Sequence, residues 1–172
     1  VAGRIAVAST TTPSGSRFVH RMEKFGHAIE AGATGFVFAN HLDGQLPPTG
    51  SLTFGDEAEA VAVGVSAETG GWLREYAANT PGPTGRVELD VTAETRAAES
   101  QNVIGRVGPE TDERLLLLAH YDGHDIAEAA LDNGCGIATA VTAGGILTEA
   151  TLPIGVDVVA VGCEEVGLLG AE

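Results

Sequence analysis

Lysine is almost missing from this chain of 172 residues: Lys24 is one of only nine basic residues, set against 24 acidic ones. The formal net charge of −15 repels phosphate backbones and anionic bilayer surfaces, which sets nucleic acid and charged membranes aside as partners. Aromatic residues reach only 5%. Cysteine is nearly as scarce, and Cys135 and Cys163 are too few, and too far from any His or Cys spacing, for a zinc knuckle or a disulfide scaffold. Both are expected as free buried thiols. No uncharged apolar run approaches the length that spans a bilayer, and no basic segment followed by an apolar one opens the chain. It begins on Val1 in what reads as a strand, so a leader upstream stays open.

What the chain does contain is small and β-branched: 44% hydrophobic residues dominated by Ala and Val, with 24 glycines. That composition suits closely packed α/β layers, and the length allows one sizeable domain or two small ones. Residues 3–10 and 35–40 read as strands, and the helical spacing of Phe18, Val19, Met22, Phe25, Ala28 and Ile29 predicts a helix capped by Ser16 and closed by Gly32. A long loop at 42–59, a strand at 60–66 and a short helix at 67–78 follow. The tract Asn79 to Gly85, with two prolines and two glycines, disfavours helix and strand alike and marks the domain junction, dividing the chain into residues 1–84 and 85–172. Beyond it, 86–95 and 102–107 alternate like strands, 115–118 is a short apolar strand, 137–149 an Ala-rich helix and 156–161 a buried strand.

Three polar elements stand at the ends of these segments. His120-Tyr121-Asp122 directly follows the 115–118 strand, where an open α/β sheet presents its site residues. A metal-binding imidazole needs an acceptor for its second nitrogen, and an Asp two residues away supplies one; His124 in the same loop is a rival ligand. Asp132-Asn133-Gly134 opens the 137–149 helix, where an Asp either caps the helix or bridges two cations. Glu164-Glu165 follows the 156–161 strand; two adjacent acids there form either an exposed acidic loop or, if buried, a site that needs a cation or water beside it. Together the three elements supply one His and three carboxylates at strand ends, a ligand set suited to zinc or cobalt.

The runs AHYD, LDNGCG and CEEVGLLGA, in this order and at these separations, resemble the dinuclear zinc aminopeptidases, a superfamily that includes glutamate carboxypeptidase and glutaminyl cyclase. The resemblance covers about residues 86–172 and implies two zinc ions, with His120 a ligand of one, Glu165 of the other and Asp132 bridging both. It further implies that Glu164 is the general base, taking a proton from the metal-bridging water and passing it to the leaving amine, that Asp122 orients His120, and that the Asp132–Asn133 peptide is cis. Peptides are the implied substrate. The family completes its site with a further Asp and His downstream of Glu172, so the fragment by itself is expected to be inactive. Residues 24–40, Pro47 to Gly50 and Ala60 to Gly70 resemble a protease-associated domain, a module that covers the cleft or contacts substrate in such peptidases. The expected fold is accordingly an α/β chain: a protease-associated domain followed by the N-terminal part of a mixed-sheet zinc-exopeptidase domain.

Two rivals come from other classes. A glycine-rich phosphate loop at Gly134-Cys135-Gly136 fails because Thr139 stands at its third glycine position and Asp132 would face the phosphates as a like charge. A non-catalytic binding protein with a degenerate peptidase scaffold leaves the Glu164-Glu165 pair without a purpose. Within enzymes, a one-zinc glutaminyl cyclase shares much of the pattern.

Acidic enrichment with lysine depletion also resembles the surfaces of proteins from salt-loving organisms. Screening relieves self-repulsion, so the melting temperature should rise from low to molar potassium chloride; a flat or falling profile removes the halophilic reading.

Overall fold

The computed structural model describes residues 1–53, 57–80, 86–124 and 127–172. These form two compact units, Val1–Thr95 and Arg96–Glu172. The Pro81 to Gly85 part of the expected junction lies outside the described residues.

In the first unit, strands β1 (Ile5–Ser9), β2 (Gly35–Ala39) and β3 (Val61–Val65) pair in parallel in that order. Helix α1 (Arg21–Glu30) joins β1 to β2, and helix α2 (Ala67–Asn79) follows β3. The start of α1 departs from the sequence expectation. His20 caps it, its Nδ1 accepting from Met22 N, whereas Ser16 is held in a preceding turn by its amide bond to the Pro13 carbonyl. Phe18 therefore lies outside the helix and is exposed. Ser66 caps α2 by accepting from Thr69 N.

The core of this unit also differs from expectation. Although aromatics are scarce, it centres on Phe36, which is fully buried and meets Phe25 edge-on at 5.5 Å between centroids, with Ala28 and Ala33 alongside. Small residues frame the two rings rather than replace them. Lys24 reaches across to the strand end, donating to the carbonyls of Ser9 and Thr11, each at 2.7 Å, with its ammonium over the Phe38 ring. Burial depresses its pKa below the ordinary lysine value. The other histidines of the unit are structural: His27 faces Glu23 and Glu30, and His41 Nδ1 pairs with the Thr10 hydroxyl at 2.7 Å.

Residues 86–95, expected as a strand, join no ladder among the described residues. Their alternation is instead that of an extended segment laid on the first unit. Leu89 approaches Gly35, and Val87 lines a cavity of about 650 Å³ with Ile5, Val37 and Leu73.

In the second unit, β4 (Val103–Val107), β5 (Arg114–His120) and β6 (Gly155–Val161) form a mixed sheet in the order β4-β6-β5; β4 runs antiparallel to β6 and β5 parallel to it. The central strand β6 carries the buried residues Val156, Val159 and Val161. Helix α3 (Cys135–Leu147) lies against β5 and β6, and the missing side chain at Gly144 lets it approach Val158. Both thiols are free but neither is buried, which corrects the expectation: Cys135 opens α3 at the surface and Cys163 lies in the half-exposed loop after β6.

Arg114 clamps the base of this sheet. Its Nε donates to Asp157 Oδ1 at 2.7 Å and its Nη2 to the Val156 carbonyl at 3.3 Å, with both side chains about 15% exposed. Removing the carboxylate leaves a largely buried guanidinium with only the exposed Glu110 beside it, at 3.8 Å, so Asp157→Ala should cost about 1–3 kcal/mol of stability. Glu23→Gln, which breaks the exposed Arg17 pair, should leave the urea midpoint unchanged. Equal effects of the two substitutions in urea unfolding followed by circular dichroism would refute the assignment.

Candidate metal centre

Parallel pairing delivers the chemistry to one end of the sheet. His120 is in register with Val161, so the loops leaving β5 and β6 emerge side by side, and Tyr121 N continues the ladder onto the Val161 carbonyl at 2.9 Å. The first loop bears His120 and Asp122; the second bears Glu164 and Glu165.

Asp122 welds the two loops together. Its Oδ1 accepts from Glu164 N and its Oδ2 from Glu165 N, both at 3.1 Å. Burial alone would push its pKa up, but the two amides, its own amide and the nearby His120 outweigh that and hold the carboxyl below the ordinary aspartate value. The same residue meets His120 as well: Nδ1 lies 3.0 Å from the Asp122 main-chain oxygen and 3.6 Å from its carboxylate.

The other imidazole nitrogen faces acids. His120 Nε2 lies 3.1 Å from Asp132 Oδ1 and 3.8 Å from Glu164 Oε2. Burial works to lower the His120 pKa, yet the Asp122 carbonyl and the surrounding carboxylates of Glu164, Asp122 and Asp132 raise it overall. His120, Glu164 and Glu165 each offer a donor atom within 4.8 Å of the others. Asp132 reaches this group through His120 and is otherwise open, its side chain 79% exposed. His124 Nε2 lies 3.0 Å from Glu165 Oε2.

Asp132 is free to face His120 because its neighbour serves the helix. Asn133 Oδ1 accepts from Gly136 N in the first turn of α3, and the Asp132–Asn133 peptide is cis. Asn102, which the sequence pattern did not single out, anchors the second loop at both ends: its Oδ1 accepts from Gly162 N at 3.1 Å and its Nδ2 donates to the Gly170 carbonyl at 2.7 Å. An Asn just ahead of a strand carries no signal by itself, since its partners lie 60 and 68 residues away. The backbone at Cys163 is left-handed, with φ +58°, and turns the chain so that Glu164 and Glu165 present their amides to Asp122.

The donor set fits a divalent cation. With the Nδ1 proton directed at a carbonyl, the Nε2 lone pair points toward carboxylate oxygens, an arrangement that needs either a second proton or a metal ion between them. One imidazole nitrogen with carboxylate oxygens is a borderline-hard set that suits zinc.

Comparison with known proteins agrees with this geometry. Residues 1–73 match the PA domain and residues 102–172 match peptidase family M28. Aminopeptidase YwaD of Bacillus subtilis (strain 168) is 29% identical over 152 residues, 87% of this chain and 31% of that protein. Among solved structures, a peptidase M28 precursor from Shewanella amazonensis SB2B superimposes with a TM-score of 0.69 at 25% identity, over 96% of this chain and 40% of that one. BSAP, a zinc aminopeptidase from Bacillus subtilis, gives 0.64 at 25% identity over 99% and 39%. The chain thus spans between about a third and two-fifths of the length of these relatives. The first unit is thus similar to the PA domain, and the mixed sheet that gathers His120, Glu164 and Glu165 at one end lies in the stretch similar to peptidase family M28.

Proposed function

We propose that the protein to which this chain belongs is a zinc-dependent aminopeptidase that hydrolyses the N-terminal peptide bond of its substrates. The observation that supports it most is the convergence of His120, Glu164 and Glu165 at the shared end of β5 and β6, with Asp132 against His120. The aminopeptidase and zinc aminopeptidase relatives support the substrate class and the metal.

In this proposal His120, Asp132 and Glu165 would hold the metal, two zinc ions in the complete protein, with Asp132 serving both. Bound zinc would supply a water far more acidic than bulk water, its pKa brought down toward about 7, and would polarise the scissile carbonyl. Glu164 takes the proton as the water oxygen attacks the carbonyl carbon of the first residue. It then returns that proton to the nitrogen of the second residue as the carbon–nitrogen bond breaks, so the shortened peptide leaves as a free amine. Asp122 keeps both loops in place and fixes the His120 ring so that Nε2, not Nδ1, turns to the metal side. The functional boundary between the PA domain and the peptidase segment is assigned to 84/85, and the acidic, lysine-poor surface to a salt-rich setting.

Glu164→Gln keeps the shape of the side chain and removes the base. In the full-length parent, turnover of an aminoacyl anilide should fall roughly 10²- to 10⁴-fold while zinc content survives. Glu165→Gln should instead lower zinc content. Loss of zinc from both variants alike, or a zinc-loaded parent that hydrolyses no aminoacyl or peptide substrate, would defeat the proposal.

A further inference from the structure

Glutamate is a poor ligand by itself, because three rotatable bonds let its carboxylate swing away from an ion, and ordering it on binding costs entropy. Something must aim Glu165. Its main chain is fixed by the Asp122 carboxylate on its amide. Its side chain is met from the same short segment: two residues beyond Asp122, His124 brings Nε2 to 3.0 Å from Glu165 Oε2.

We propose that His124 is a positioning residue that holds the Glu165 carboxylate for the metal ion, an inference that rests on the metalloaminopeptidase reading above. Three features support positioning over ligation. Among the described residues the donor atoms of His120, Glu164 and Glu165 draw together, and the ring nitrogen of His124 is turned onto a carboxylate oxygen of this group, at 3.0 Å, as a donor to Glu165. The loop is also built to bring it there. A side chain at Gly123 would run into Ala129, so the glycine lets the loop lie close against the segment that leads to Asp132. Finally, the His124 carbonyl accepts from Ala127 N at 2.9 Å, which restrains the main chain at His124. An N–H on Nε2 donated to Oε2 orients the carboxylate toward the ion. The segment from His120 to His124 thus supplies one ligand outright and restrains a second at both its amide and its carboxylate.

The test is the zinc affinity of the full-length parent, measured by competition with a chromophoric chelator. His124→Phe and His124→Ala both remove the donor and should weaken zinc binding roughly 10- to 100-fold, whereas His124→Gln, whose amide N–H can reach the same oxygen, should stay within about threefold of the native protein. Adding His124→Phe to Glu165→Gln should cost little more than Glu165→Gln alone, because the brace has lost its target. Native affinity in His124→Phe and His124→Ala overturns the proposal, as does a loss in His124→Gln equal to theirs. A fully additive loss in the double variant also overturns it, by making His124 a ligand in its own right. Glu165→Gln separates the two levels: if it leaves zinc affinity intact the metal-site reading itself fails and this inference with it, whereas if it weakens zinc while His124→Phe does not, only the role of His124 fails.

Discussion

The second unit depends on one carboxylate accepting two main-chain amides. Strand pairing brings the ends of β5 and β6 alongside each other, but pairing stops at Tyr121 and Val161, and the residues that matter come after. Asp122 carries the connection past that point by taking the amides of both Glu164 and Glu165. Without it the loop would still be held by Asn102 at Gly162 and Gly170, but the two acids between those points would lose the amide bonds that keep them beside His120. With it, two anions are held beside an imidazole, and the strain of gathering like charges is stored where a cation can relieve it.

Glu68 shows the same device in the first unit, where its Oε1 accepts from the amides of Gly44 and Gln45 at 2.8 and 3.3 Å. The Gly44 amide first, then Glu68's own amide and the Ser66 hydroxyl, with Gln45 adding least, carry its pKa down to about 2 against the opposing effect of burial. A chain with so few cations cannot neutralise its carboxylates by salt bridges alone, so at the positions that order loops it pairs them with neutral amide donors instead. A cationic partner serves inside the second sheet, where Arg114 meets Asp157 between β5 and β6.

Much of this was legible in the sequence because the informative signals are local. His120, Asp122, Glu164 and Glu165 each follow an apolar strand within a few residues, and the strand-end rule brings them to one edge once the strands are known to be neighbours. The helix cap at His20 was not legible. A histidine is a weak cap by composition, and the preference for Ser16 could not know that a turn had already engaged it. Alternation in 86–95 read as a strand because period two records only that one side of an extended chain is covered; it does not say whether the cover comes from a sheet partner or from side chains such as Leu89 lying on a neighbouring layer. Asn102, and the bond by which Asn133 serves the helix, stayed out of sight for a different reason. Each does its work through bonds to main-chain groups, and main-chain groups leave no trace in residue identity.

Lys24 gives the molecule an unusual chemical handle. As the only lysine, it is the only side-chain amine that an acylating or cross-linking reagent can find, and it is occupied by the carbonyls of Ser9 and Thr11 at the mouth of the first sheet. Acylation at that nitrogen must wait for the side chain to leave the strand end, so its labelling rate would report how often this corner of the first unit opens, without any engineered probe.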